Sequence, residues 1–178
     1  MPDSGALLQF VQRPNSVDLR VGERALRSRG RYSELVALYQ GRGEHGAALA
    51  LLETLSQRPD GLETPPQGAA LELRGFPGVW AAVRYVSLLD ARHAELVMAH
   101  ARWILRADPE AGLEMFSAQN ARLPPEVVVP VLAAYTPHLA VPYLEAALES
   151  GRADPGGNFE QQLAALYLDV LKEGSGGG

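Results

Sequence analysis

The clearest hydrophobic pattern in the chain is a pair of short amphipathic segments in its first third. Apolar residues recur on both at helical spacing: Tyr32, Leu35 and Tyr39 on the first, Ala48 and Leu49 on the second. Gly43 lies between the two segments, in a position typical of a helix C-terminus. The pattern predicts helices over about residues 32–40 and 44–56, joined by a tight turn. Because helices this short cannot bury their apolar faces alone, they favour a stack of hairpins.

Further helical segments follow along the rest of the chain, and no stretch shows the alternation of a β-strand. Three helix starts are predicted from their capping residues: Asn15 or Ser16, Asp108 before Pro109, and Thr136 before Pro137. The predicted helices cover the end of a segment at 6–11, then about 17–28, 79–89, 91–106, a stretch from 109, 126–135, 138–150 and 159–172. The expected fold class is therefore all-α, an α-solenoid of stacked antiparallel helix hairpins.

Proline and glycine divide this helical pattern at two places. Residues 58–78 form a proline- and glycine-rich stretch that predicts a long loop, and residues 173–178 have the composition of a flexible Gly/Ser tail. The expected organisation is a single solenoid segment over residues 1–172.

Composition narrows the functional classes. The 178 residues are 47% hydrophobic and carry a net charge of −5, which argues against a nucleic-acid-binding protein. The absence of cysteine excludes disulfides and thiolate metal sites. No apolar run reaches the roughly 18 residues that a membrane span requires. We expect a soluble cytoplasmic protein, whose contact with membranes is peripheral or made through a partner.

Arginines are concentrated near the N-terminus, where the window 13–31 holds six arginines against two acidic residues. Arg20, Arg24, Arg27 and Arg31 have the spacing of one helical face. Such a face would suit an anionic partner, either a phosphoinositide-rich surface or an acidic protein subunit. The alternative is a solvated outer face, which is favoured because Gly30 is expected to end the helix before Arg31.

Candidate chemistry elsewhere is sparse. The chain has no GxSxG motif, no phosphate-binding glycine loop and no HExxH motif. His93 and His100 share a helical face, yet no third metal ligand follows at matching spacing. The aromatic residues occur at spacings typical of helix packing. We therefore expect no catalytic, cofactor-binding or metal-binding residues.

Four segments of the chain form an ordered set of motifs. The first holds Tyr32-Ser33-Glu34-Leu35-Val36, Leu38-Tyr39, Gly43, His45, Ala48-Leu49 and Leu51-Leu52. The others are Trp103-Ile104-Leu105-Arg106 with Pro109-Glu110, Gly112-Leu113 and Phe116, then Leu139-Ala140-Val141-Pro142-Tyr143-Leu144-Glu145, then Phe159 with Leu163–Tyr167. In this order they resemble the central helical region of a known family of endolysosomal tether subunits, the vacuolar protein sorting-associated protein 39 and TGF-beta receptor-associated protein family. The resemblance extends from about Leu7 to Leu171.

The resemblance implies a solenoid of the clathrin-heavy-chain and tetratricopeptide type, in a subunit of a HOPS or CORVET tether. It implies other tether subunits and an endolysosomal Rab GTPase as partners, and a peripheral location on late endosomes, vacuoles or lysosomes. Family members are much longer, so the chain looks like a central segment or a truncated gene product. Open solenoid ends also make self-association an expectation.

The working hypothesis is a non-catalytic interaction scaffold that acts in vesicle-mediated transport and membrane tethering. One alternative is an unrelated tetratricopeptide-like adaptor that captures peptides in a groove of Asn, Lys and Arg, although Lys172 is the single lysine. A second alternative is an all-helical enzyme domain with a buried polar cluster around His93 and His100.

Overall fold

A computed structural model describes residues 18–57, 62, 78–117, 123–152 and 158–176. Over these ranges the chain forms nine α-helices and one 3-10 helix at Ala91–His93, with no strand, which confirms the all-α class. The helices are α1 Leu19–Arg27, α2 Tyr32–Gly41, α3 His45–Gln57, α4 Val79–Ser87, α5 Ala94–Ala107, α6 Pro109–Ser117, α7 Pro125–Tyr135, α8 Pro137–Glu149 and α9 Phe159–Ser175. The helix end predicted at 6–11 and most of the stretch 58–78 lie outside the described residues.

The chain divides into two compact units, residues 1–85 and 86–178, and the division falls within α4. In the first unit α2 packs against both α1 and α3. The side chains that these contacts bury include both predicted apolar faces: Tyr32, Leu35, Leu38, Tyr39, Ala48, Leu49, Leu52 and Leu55. The hairpin predicted from the sequence therefore lies at the centre of this unit.

In the second unit α8 packs against α6, α7 and α9, while α5 packs against α6 and α7. Its largest buried side chains come from all of the central helices: Ile104, Leu105, Met115, Phe116, Leu132, Tyr143 and Leu144. Trp103 is also buried, and its indole Nε1 donates a hydrogen bond to His100 Nδ1 at 3.0 Å. Trp103, Phe116 and Tyr143 thus serve packing, as their spacing predicts, whereas Tyr167 on α9 and Trp80 on α4 are 43% and 41% exposed.

Three helices end at a glycine in the left-handed conformation. Gly30, Gly43 and Gly151 have φ values of 64°, 73° and 69°, a region that side chains with a Cβ rarely adopt. At each of them the next residue donates its amide back across the turn; Glu44 N, for example, lies 2.9 Å from the Tyr39 carbonyl. This is the Schellman motif. It fixes the chain reversal after α1, α2 and α8.

Two of the three predicted helix starts are in the expected place. Asp108 caps α6 as predicted, since its carboxylate accepts from the amides of Glu110 and Ala111 at 3.0 and 3.1 Å. Thr136 is the N-cap residue of α8 and Pro137 follows it, as predicted, but the Thr136 hydroxyl donates to the Leu132 carbonyl and accepts from no amide of α8. Asn15 and Ser16 lie outside the described residues, and the N-cap of α1 is Asp18, whose Oδ1 accepts from Arg20 N at 2.9 Å.

The remaining motif residues have structural positions that explain them. Pro109 is the first residue of α6, where a missing amide hydrogen costs nothing. Gly112 lies against α5, so that a Cβ there would approach Leu105 Cγ to 2.8 Å. Leu113 is half-buried, and Pro142 is exposed within α8. At the C-terminal end α9 runs to Ser175, three residues past its predicted end at 172.

Candidate functional site

The outer face of α1 carries two arginines whose guanidinium groups are unengaged. Arg20 and Arg24 are exposed, and neither side chain makes a hydrogen bond or an ion pair with any described residue. Among the described residues, the Asp18 carboxylate accepts only from the backbone amide of Arg20, so it orders the helix start and does not engage the Arg20 guanidinium. Two planar cations one helical turn apart are therefore presented to solvent.

Apolar surface lies beside these cations. Val21 is 63% exposed, and together with Ala25 and Ser28 it lines an open cleft of 360 Å³ next to Arg20 and Arg24. A second cleft, of 420 Å³, lies on the Glu23 and Arg27 side of the same arginines. The surface thus combines positive charge with a small apolar area. That combination suits a protein partner better than a lone inorganic anion.

Arg27 belongs to a polar network that joins α1 to α2. The Tyr39 hydroxyl donates to Glu23 Oε1 at 2.6 Å, and Arg27 Nε donates to the same oxygen at 3.1 Å. Arg27 Nη2 lies 3.3 Å from the Tyr39 oxygen. The hydrogen bond from Tyr39 holds the pKa of Glu23 below its ordinary value, with Arg27 acting in the same direction. Burial and the same hydrogen bond raise the pKa of Tyr39.

We expect Tyr39→Phe to lower the free energy of unfolding by about 1 kcal/mol at neutral pH, because it removes a hydrogen bond to a charged, partly exposed group. The bond stabilises the fold above the ordinary pKa of Glu23, 4.5, and is lost as the pH falls through the lower folded-state pKa. Urea denaturation at pH 7 and at about pH 3 should therefore show a difference that shrinks in acid. The raised pKa of Tyr39 predicts a second loss of wild-type stability above its ordinary value of 10.0.

The control for this variant is Tyr135→Phe, since the Tyr135 ring packs under Arg106 and its hydroxyl makes no hydrogen bond with a described residue. Its effect should not change with pH. An equal, pH-independent loss in both variants would mean that the Glu23 network contributes nothing.

Arg31 does not join the surface that its spacing suggests. Helix α1 ends at Arg27, and the chain reverses at Gly30, so Arg31 precedes α2. There its Nε donates to Glu34 Oε1 at 2.7 Å, and the Glu34 side chain is fully buried. Of the four arginines of the predicted face, Arg20 and Arg24 remain on it without a partner among the described residues, while Arg27 bonds Glu23 and Tyr39. That Arg20 and Arg24 contact a partner protein stays a prediction.

The histidines that the sequence singled out have local roles in the structure. His93 Nδ1 lies 3.0 Å from Asp90 Oδ1 at the 3-10 helix, and His100 Nδ1 accepts from Trp103. In the first unit, His45 Nδ1 lies 2.8 Å from the Tyr85 hydroxyl and links α3 to α4. Within the described ranges, no three His, Cys, Asp or Glu side chains come together in a group that could hold a metal ion.

Among the described helices, none combines the length and hydropathy needed to cross a bilayer.

Comparison with known proteins relates most of the chain to one family. The family described as vacuolar sorting protein 39 domain 1 matches residues 2–105. The Drosophila melanogaster vacuolar protein sorting-associated protein 39 homolog is 30% identical over 143 residues, which are 79% of this chain and 15% of the fly protein. No solved structure matches the chain.

Two further relatives extend the match. The human Vam6/Vps39-like protein is 28% identical over 161 residues, 89% of this chain and 17% of its own length. Vacuolar morphogenesis protein 6 of Schizosaccharomyces pombe is 28% identical over 176 residues, 95% of this chain and 18% of its own length. The chain thus spans less than a fifth of the length of these relatives. With more than half of its residues matched by the family, the chain belongs to the vacuolar sorting protein 39 family.

Proposed function

We propose that this chain is a non-catalytic interaction scaffold within a HOPS- or CORVET-type tether, acting where endosomes fuse with vacuoles or lysosomes. The observation that carries the proposal is the match to the vacuolar sorting protein 39 family over residues 2–105. Relatives named for vacuolar sorting or vacuolar morphogenesis support the same process. The proposed location is the cytoplasmic surface of late endosomes, vacuoles or lysosomes.

The proposed architecture is a short α-solenoid in which neighbouring hairpins stack. Its support is the order of helix contacts within each unit: α2 packs on α1 and α3, and α8 packs on α7 and α9. Contacts between helices that follow one another in the chain are typical of repeat architectures. A scaffold of this kind works by holding separate binding surfaces at a fixed distance.

The proposed docking surface is the outer face of α1 around Arg20 and Arg24, and the proposed partner is an acidic surface of a tether subunit or an endolysosomal Rab GTPase. Two free guanidinium groups can each bind a carboxylate through paired hydrogen bonds. The exposed Val21 adds apolar contact between them. Because Glu23 and Arg27 already neutralise one another, the face has fewer free cations than the four to eight that anionic membranes usually recruit.

The test is a quantitative affinity capture from a eukaryotic lysate, using the intact chain, the double variant Arg20→Glu/Arg24→Glu and a matched double variant on the second unit, Arg102→Glu/Lys172→Glu. All four positions are exposed. We expect wild type and the matched control to capture tether subunits or an endolysosomal Rab, and the α1 variant to capture about tenfold less, the effect of losing roughly 1.4 kcal/mol.

Circular dichroism should show the same helix content in all three proteins. Capture of the same tether subunits by the α1 variant would place the docking surface elsewhere. Capture of no tether subunit or Rab by the folded wild-type chain would overturn the proposed function itself.

A further inference from the structure

A second candidate surface lies in the other unit, in a cleft formed where α6 ends, α7 begins and α8 ends. The cleft measures 870 Å³, within the range of pockets that hold small ligands or short peptide segments. Leu123, Pro124 and Pro125 give it an apolar wall, and Glu126 and Arg152 place one charge of each sign on its lining. The cleft is separate from the arginine face of α1 in sequence and in composition.

Arg152 is held in place but has no carboxylate partner. Its guanidinium lies over the Tyr143 ring, with Cζ 5.7 Å from the ring centroid, and its Nε lies 3.3 Å from Ser150 Oγ. No acidic side chain among the described residues comes within ion-pair distance of it. A cation ordered by stacking, with its terminal nitrogens unused, is prepared to receive an anionic group because little side-chain freedom remains to be lost.

Glu126 interacts favourably with its own helix and does not need a ligand to compensate its charge. It lies in the first turn of α7, where the partial positive charge of the helix N-terminus favours a carboxylate. The two charges of the cleft therefore have different roles. Arg152 attracts an anion and Glu126 repels one, so the cleft favours a ligand with a single acidic group over one with several.

The Tyr143 side chain connects both charges of the cleft to the core of the unit. It is 1% exposed, and its hydroxyl has no hydrogen-bond partner among the described residues. Burial raises the pKa of Tyr143, while Arg152 acts to lower it and Glu126 to raise it, so both charged residues lie close enough to act on this phenol. Because the ring that supports Arg152 is itself fixed in the core, the position of the guanidinium is set by buried packing.

We propose that this cleft binds an extended peptide segment of a partner protein, in which one acidic side chain is flanked by apolar residues. The acidic side chain pairs with Arg152, and the apolar residues lie against Leu123, Pro124 and Pro125. The apolar wall favours a peptide over a free phosphate or carboxylate, which would leave that wall exposed to water. The proposal does not depend on the α1 surface or on the identity of the tether.

The test is selection of a phage-displayed library of random octapeptides on the intact chain, followed by fluorescence anisotropy with the selected peptides in labelled form. We expect the selected sequences to share one aspartate or glutamate between apolar residues. Arg152→Glu should weaken their binding at least tenfold, and Ala146→Trp, which fills the cleft from an exposed position, should do the same. Arg102→Glu, an exposed arginine on α5, is the matched control and should bind as wild type.

A charge exchange makes the test specific to Arg152. The same library selected on the Arg152→Glu variant should return peptides with lysine or arginine where the first selection returned an acidic residue. Arg152→Lys keeps the positive charge and should retain most of the affinity. It shows whether the loss of binding in Arg152→Glu comes from the charge and not from a disturbed fold. The Arg20→Glu/Arg24→Glu variant should bind the selected peptides with wild-type affinity. This result would separate the cleft from the α1 surface.

The proposal is overturned by any of three results. The library yields no enriched sequence on the folded chain, or the enriched sequences carry no shared acidic residue, or their affinity is the same for wild type, Arg152→Glu and Ala146→Trp.

Discussion

Leu49→Asp is expected to unfold the first unit. Leu49 is completely buried on α3, among the side chains of α2 and α3 that form the core of this unit. A carboxylate placed there loses its hydration, which costs several kcal/mol in addition to the lost packing of the leucine. Since the free energy of unfolding of small domains is only about 5–15 kcal/mol, this substitution would remove most of it.

The matched control is Ala50→Asp, the same substitution one residue along on the exposed side of α3. It should keep the far-ultraviolet circular dichroism and the melting temperature near wild type, within about 0.5–1 kcal/mol. Hydrogen exchange resolved by mass spectrometry should show that Leu49→Asp removes protection from α1, α2 and α3. If both variants melt together with wild type, the burial of the α3 apolar face is wrong.

The sequence was sufficient for the α2–α3 hairpin because its signals are local. Tyr32, Leu35 and Tyr39 lie on one helical face, and a glycine at 43 can take the left-handed conformation that the turn needs. Asp108 before Pro109 is a similar short-range signal, since its carboxylate accepts hydrogen bonds from the amides of the next turn. Where structure depends on three or four adjacent residues, a single sequence carries the information.

The failures concern residues with more than one available partner. Thr136 can cap the helix that follows it or bond the carbonyl four residues back, and the structure uses the second arrangement. Asn15, Ser16 and Asp18 are all good N-cap residues by type, and the structure uses Asp18. Propensity alone does not decide between such alternatives.

For the candidate sites, too, the sequence does not show which side chains from different helices come into contact. The sequence already indicated that Gly30 ends the helix before Arg31, and the structure agrees. It could not indicate that Tyr39, a residue of the next helix, engages Arg27. The cleft was missed entirely because Glu126, Arg152 and Tyr143 are brought together by the packing of α7 and α8. No sequence motif joins residues that are 26 positions apart.

Arg31→Ala is expected to destabilise the first unit by about 3 kcal/mol, because it strands a buried carboxylate. Glu34 has no exposed side-chain surface, and its Oε1 depends on Arg31. Its second oxygen, Oε2, has no hydrogen-bond partner, so the arginine is the main compensation for burying this charge. Chemical denaturation followed by circular dichroism measures the loss.

Two further variants separate this role from partner binding. Arg31→Met with Glu34→Leu replaces both members by apolar side chains, and it should recover most of the stability because no charge remains buried. Arg24→Ala removes an exposed arginine without partners among the described residues and should change stability by less than about 0.5 kcal/mol. If Arg31→Ala is as stable as Arg24→Ala, then Arg31 does not support Glu34.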